Sequence, residues 1–372
     1  MNNGRREMDR RRETDTRVSM LYAAQSGRGW LNLVGKEWSD PTDMNNQTEV
    51  LQYIERLLAA LEKNRSLLTV TIGYEFLEEW SQSQQRRLFC AIRNQPHLLK
   101  LTVSGLRSSP EVIDTGMILE SLMHLQSSRL QKLMISKIEL TYKSEVLLLA
   151  NMLATRSASL QSISLKGLVS TIAGKEKGFL NPILFAMATP PEGGRVAHLS
   201  RFVLEGCDDI TKDDTSLVTV EALRCYLAAH DIAVAGRASR VLCLDGLGLG
   251  DEHAEIIAGL AGESLIKLSL KSNPAIGKGY ESLLWILNRN HCLEEICVVD
   301  SCWQAKIDLV IRMNRTYGRG AHMEDCAFTC KTKWVNFLVK LVDSSAAEQE
   351  TEECRVNYLL YHLLEKPDVF AN

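Results

Sequence analysis

A short apolar phrase recurs along this chain: one apolar residue, a second three positions later, and a third two positions after that. Eight copies align, at Leu67/Val70/Ile72, Leu98/Leu101/Val103, Leu130/Leu133/Ile135, Leu160/Ile163/Leu165, Leu199/Phe202/Leu204, Ser239/Leu242/Leu244, Leu265/Leu268/Leu270 and Leu293/Ile296/Val298. Ser239 alone breaks the first position. The last two members are separated by one residue, the period of a strand with one buried face, so each phrase predicts a strand of about three or four residues. Between phrases the apolar period lengthens. Val50, Leu51, Ile54, Leu57, Leu58 and Leu61 fall on one helical stripe, as do Ile118, Leu119, Leu122 and Met123, and later Leu283, Leu284, Ile286 and Leu287. Each unit is therefore expected to be one strand and one helix.

Steps between first positions are 31, 32, 30, 39, 40, 26 and 28 residues. The two long steps imply insertions near Val169 to Ala197 and Asp208 to Ala238, which contain the loop signals Pro190-Pro191, Gly193-Gly194 and Asp213-Asp214. One such unit buries too few apolar side chains to offset the entropy of ordering its own backbone. Stacked neighbours supply the missing burial and the strand hydrogen bonds, so the units predict a repeat array with a parallel sheet on one side and helices on the other.

Three helix-to-strand joints carry an Asn shortly before the strand: Leu61-Glu62-Lys63-Asn64-Arg65-Ser66-Leu67, Ile92-Arg93-Asn94-Gln95-Pro96-His97-Leu98 and Leu287-Asn288-Arg289-Asn290-His291-Cys292-Leu293. With Leu265-Ile266-Lys267-Leu268-Ser269-Leu270-Lys271-Ser272-Asn273, followed by Ile276 and Gly277, these residues resemble the ribonuclease-inhibitor-like leucine-rich-repeat family. The resemblance implies an α/β horseshoe solenoid, with a parallel sheet on the concave face, helices on the convex face and a helical C-terminal cap. It spans residues 47–302. The position that usually carries a ladder Asn or Cys has one only at Asn273 and Cys207, with Leu106, Ile138, Leu168 and Leu247 elsewhere, so the turn there is expected to pack differently. Residues 303–372 are read as the cap, with apolar stripes at Ile307, Leu309, Val310 and Met313, at Trp334, Val335, Phe337, Leu338 and Leu341, and at Val356, Leu359, Leu360, Leu363 and Leu364. Residues 1–46, of which 1–40 are rich in Arg, Gly and Asn, are expected to be disordered.

Composition adds limits. With 45% hydrophobic residues the chain can bury a large core, and a formal charge of -3, from 43 basic and 46 acidic residues, singles out neither nucleic acid nor a membrane as partner. The ten cysteines are scattered, unlike a disulfide framework, and read as reduced thiols. Six arginines interleaved with four acids in the first twenty residues resemble neither a secretory nor a mitochondrial leader, which makes the cytosol or nucleus the expected compartment.

In a sheet with one buried face, residues between the apolar positions face outward. The first outward column is Thr69, Lys100, Lys132, Ser162, Arg201, Val241, Lys267 and Glu295; the second is Thr71, Thr102, Met134, Ser164, Val203, Cys243, Ser269 and Cys297; the third includes Gly73, Ser104, Ser136, Lys166, Glu205, Asp245, Lys271 and Val299. Lys100, Lys132, Arg201 and Lys267 are the candidates to grip an acidic protein segment, although no concave aromatic accompanies them.

Catalytic motifs give weaker signals. Gly246-Leu247-Gly248-Leu249-Gly250 lacks the spacing of a dinucleotide fingerprint and reads as a turn; Asp251-Glu252-His253 reads as a helix start. His322, Cys326 and Cys330 share a helical spacing but have no second ligand pair, so neither metal nor cofactor is expected. The sequence thus predicts a non-enzymatic protein-binding scaffold. A small-GTPase regulator and a ubiquitin-ligase substrate receptor are the alternatives the repeat family suggests, and no marked loop or adaptor motif supports either.

Overall fold

The computed structural model describes most of residues 21–311; residues 1–20 and 312–372 lie outside the described part, as do several internal stretches, chiefly 35–43, 105–114, 171–176, 190–198, 207–215 and 232–240. Ten strands are described: β1 (Trp30–Leu33), β2 (Thr69–Gly73), β3 (Lys100–Ser104), β4 (Lys132–Ser136), β5 (Glu139–Leu140), β6 (Ser162–Ser170), β7 (Arg201–Gly206), β8 (Val241–Asp245), β9 (Lys267–Ser269) and β10 (Glu295–Cys297). Nine of them run side by side, each parallel to the next, in the order β1-β2-β3-β4-β6-β7-β8-β9-β10. Sequential order without a crossover means that each new unit is laid against the last.

The apolar phrases build the core. Their middle members pair across the whole sheet, Leu31 with Val70, then Leu101, Leu133, Ile163, Phe202, Leu242, Leu268 and Ile296. Every described residue of the eight phrases is buried, while Ser239 lies outside the described residues. Helices connect the strands, among them Met44–Lys63, Gln82–Arg93, Thr115–Met123, Lys143–Arg156, Asn181–Ala188, Val220–Asp231, Asp251–Leu260 and Gly279–Arg289. Val50, Ile54, Leu57, Leu58 and Leu61 turn inward from the first of these, as the stripe predicts; Leu51 does not and stays half exposed. Strands repeat at about 4.8 Å while packed helices need about 8–10 Å, so a one-sided stack of this kind bends with its sheet on the inner, concave side.

Two expectations need correction. The segment read as disordered contributes to the sheet, since β1 pairs in full register with β2 and buries Leu31 and Leu33, and residues 21 and 23–25 are helical. Leu31 and Leu33 have the spacing of the last two members of a phrase whose first member would be Arg28, so it lacks an apolar start, as the Ser239 copy does. The long steps are also less loop-like than expected. Val169 and Ser170 extend β6, and each step holds a repeat helix, Asn181–Ala188 and Val220–Asp231; the Pro190-Pro191, Gly193-Gly194 and Asp213-Asp214 signals lie outside the described residues.

Units are joined by buried side chains that satisfy backbone groups. Asn273, fully buried, donates through Nδ2 to the carbonyls of Leu244, Leu270 and Lys271, and accepts through Oδ1 from the amides of Leu247 and Leu249, both at 3.0 Å. This is the ladder Asn anticipated from sequence. Where the ladder position holds Leu168, a second small parallel ladder forms instead, with Glu139 and Leu140 of β5 pairing Val169 and Ser170 after a register shift in β6. At the earlier joints Asn64 donates to the Ala24 carbonyl at 2.8 Å. Gln95, beside the expected Asn94, donates to the carbonyls of Asn64 and Ala91, and the Ser127 hydroxyl donates to the Leu98 carbonyl at 2.7 Å.

At the far end Gln304 donates to the Ile296 carbonyl and accepts from the Val298 amide, which ties the helical residues 303 and 304 to β10. Ile307 and Ile311 close the core there. The remaining stripes expected in the cap lie outside the described residues.

Candidate functional site

The open face of the sheet is the surface on which the sequence placed its candidates. Lateral register brings the first column together as Trp30, Thr69, Lys100, Lys132, Ser162, Arg201, Val241, Lys267 and Glu295, one residue per strand. The second column is aligned in the same way, from Asn32 through Thr71, Thr102, Met134, Ser164, Val203, Cys243 and Ser269 to Cys297. Much of it is floor rather than surface: Thr102, Ser164, Val203, Cys243, Ser269 and Cys297 are buried, and Met134 is half-buried. Side chains about 4.8 Å apart on the inner side of a bend cover one another, and small residues fit there.

The architecture is that of a leucine-rich-repeat solenoid. Among solved structures, the chain is similar to the crystal structure of the leucine-rich repeat-containing protein LegL7 from Legionella pneumophila, at 16% identity over 76% of this chain and 86% of that one, with a TM-score of 0.38. No protein-family model matches the sequence, and no curated protein matches it.

Charge on the solenoid's inner face is distributed unevenly. Toward the C-terminal strands it is matched internally. Lys267 Nζ lies 2.6 Å from Glu295 Oε1, and Lys166 Nζ lies 2.9 Å from Glu205 Oε2. Asp245 accepts from the Ser269 hydroxyl at 3.0 Å and from the Lys271 amide at 2.8 Å. The Glu295 carboxyl is held below its ordinary pKa by hydrogen bonds from Cys297 and then Lys267, while the ammonium of Lys267 is raised by its bond to Glu295. Lys100, Lys132 and Arg201 differ. All three are exposed and have no ion-pair partner among the described residues.

The inner-face thiols are held in their protonated form. Burial, with Asp245 alongside, pushes Cys243 up to about 12, and burial together with Glu295 pushes Cys297 up to about 11. A thiol so held is a poor nucleophile at neutral pH. The histidine that follows the glycine-rich turn is likewise engaged in structure. His253 Nδ1 accepts from the Gly250 amide at 3.2 Å and Nε2 lies 2.8 Å from the Val218 carbonyl, so the neutral ring with hydrogen on Nε2 bridges two units. The turn needs its glycines, since Gly246 and Gly248 have φ of 64° and 67°, and so does its neighbour at the end of β7, where a Cβ on Gly206 would collide with the Gly246 carbonyl oxygen. Asp251 and Glu252 stand in the first turn of their helix as the sequence predicts, and the Asp251 carboxylate also accepts from the amides of Gly277 and Gly279 at the start of the following helix. His322, Cys326 and Cys330 lie outside the described residues, and no cluster of three or more His, Cys, Asp or Glu suited to a metal occurs among the described residues. No described helix is long and apolar enough to cross a membrane.

Sequence reasoning missed Trp30. It heads the first column, half exposed at 49%, and supplies the aromatic that the inner face was expected to lack. The alternation Trp30, Leu31, Asn32, Leu33 was the available signal.

Proposed function

We propose that this protein is a non-enzymatic binding module that holds another protein on the concave face of its repeat array. One observation carries this reading: consecutive parallel strands present their outward side chains in unbroken lateral register, with three exposed cations, Lys100, Lys132 and Arg201, that have no ion-pair partner among the described residues. An extended partner can meet one side chain per strand along such a column, and unmatched charge favours a partner of opposite sign. The bland alternative, a solvated lysine face, accounts for exposure but also predicts that removing the charge has no effect on binding. Support against catalysis comes from the polar groups that might have served it, since Cys243, Cys297 and His253 are each engaged in structure. Lys267 and Glu295, as an ion pair, and Asp245 and Lys271, joined through the Lys271 amide, belong to this proposed surface, while Thr102, Met134, Ser164, Val203, Cys243 and Ser269 form its floor.

The test is affinity purification of the full-length protein beside its Lys100→Glu/Lys132→Glu/Arg201→Glu variant, with circular dichroism to establish that both fold. A protein recovered at near-stoichiometric level by the wild type and lost by the variant is the expected result. Recovery of no such protein, or equal recovery by both, would reject the concave face as the binding surface.

A further inference from the structure

We infer that the first four strands of the concave face, β1 to β4, form the docking site for an acidic, extended segment of another protein that carries an aromatic or large aliphatic side chain beside its acids. This rests on the binding-module reading and narrows it to one end of the array.

Two large apolar side chains are exposed here. Trp30 on β1 is 49% exposed, and Leu68, just before β2, is 42% exposed. Leu68 lies one strand over, against the residue before Trp30, since a Cβ on Gly29 would stand 3.0 Å from the Leu68 side chain. The backbone continues the same row, with the amides of Leu68 and Thr69 donating to Gly29 and those of Leu99 and Lys100 donating to Leu68. An exposed Trp beside aliphatic surface is the residue type and setting from which binding energy most often comes.

Charge fixes the partner's sign. Lys100 and Lys132 lie side by side in the column that Trp30 heads, so cations stand about 10 and 14 Å along the sheet from the Trp strand. They are not unpaired for want of acids in this half. On the helical side of the same units Arg87 meets Glu55 at 2.6 Å and Glu62 at 2.8 Å. The loop that leads into β2 also helps wall a hollow of about 570 Å³ with Arg56, Lys63 and Arg65, and no carboxylate, among the described residues of its lining. A neutral apolar partner would cover these ammonium groups without compensation, which is costly; carboxylates placed next to an apolar anchor satisfy both parts of the patch.

A random 12-residue phage-displayed peptide library, selected on the full-length protein, tests this. Enriched peptides are expected to combine two or more Asp or Glu with an aromatic or large aliphatic residue. Their affinity should fall at least about ten-fold for Lys100→Glu/Lys132→Glu and for Trp30→Ala, and stay unchanged for Arg224→Glu on the helix Val220–Asp231. Replacing the peptide's acids by lysines should restore binding to the Lys100→Glu/Lys132→Glu variant, which a misfolded variant could not do. Peptides that lose binding with Lys271→Glu and not with the β1–β4 variants would overturn this inference and leave the concave-face reading standing. Peptides indifferent to every concave substitution would sink both. Sedimentation that revealed a dimer abolished by Trp30→Ala would assign the patch to a second copy of this chain and overturn the acidic-segment assignment.

Discussion

The two ends of the concave face are built from the same strand register yet differ in what they leave undone. From β6 to β10, Lys166 faces Glu205, Lys267 faces Glu295, and Asp245 is bonded to Ser269 and Lys271. From β1 to β4, Trp30 and Leu68 stand exposed and Lys100 and Lys132 lack partners among the described residues. Matched ion pairs at partly exposed positions contribute little to stability, about 0–1 kcal/mol each, so their service is to offset one another's charge, which leaves Arg201 and Lys271 as the exposed cations of that half of the face without an ion-pair partner among the described residues. The first end retains its charge and apolar surface for something else. The ties between units differ in kind as well. The C-terminal half is knit by Asn273 and the ionisable His253, the N-terminal half by the uncharged Asn64, Gln95 and Ser127.

The largest expected effect sharpens this contrast. Asn273→Ala removes five hydrogen bonds and strands the buried amides of Leu247 and Leu249, at a cost of about 3–5 kcal/mol. Because each unit touches mainly its neighbours, the damage should be local. Hydrogen exchange should show lost protection in β8 and β9 with β2 and β3 retained. Uniform loss along the array would mean that the two halves do not behave as separable regions.

Much of this arrangement was legible in the sequence, and the exceptions share a cause. The eight phrases, the helical stripes and the two outer columns follow from periodicity, which each segment carries alone. Even the pairs Lys166–Glu205 and Lys267–Glu295 were implicit, because the columns set them side by side. What failed depended on neighbours. β1 was hidden because its phrase opens with Arg28 inside an arginine-rich stretch, and its strand character is realised only against β2. Gln95 and Ser127 were missed because each joint offers several polar residues, and only the packed unit decides which reaches a carbonyl of its neighbour. The second column looked like surface because alternation gives direction, whereas its burial comes from the flanking side chains of adjacent strands.

A smaller effect should appear with acid. Burial lowers the pKa of His253 below the ordinary 6.5, against the opposing pull of the Val218 carbonyl and Glu252, and with a minor push in the same direction as burial from Lys177. The folded state thus keeps the ring neutral while the unfolded chain takes up a proton near 6.5. Stability from this group is complete above that value and declines as pH falls below it toward the depressed folded value. Between pH 7.5 and 5.5, protection around β7 to β9 should weaken relative to β2 to β4, and His253→Gln should flatten the difference. Equal acid sensitivity at both ends would remove His253 as the source of the contrast.

The smallest effect is the most discriminating for function. Exchanging the partners in Lys267→Glu/Glu295→Lys preserves the pair and the net charge, so stability should change by less than about 0.5 kcal/mol. If the C-terminal end is self-contained, affinity for a partner bound at Lys100 and Lys132 should also be unchanged, since the exchange alters only a short dipole several strands away and salt screens such a field within about 8 Å at physiological ionic strength. A partner whose affinity dropped ten-fold on this exchange would have to read Lys267 or Glu295 directly. In that case the ion-paired strands would be part of the binding surface, and the division between a paired half and an available half would fail at the point where the charges are best matched.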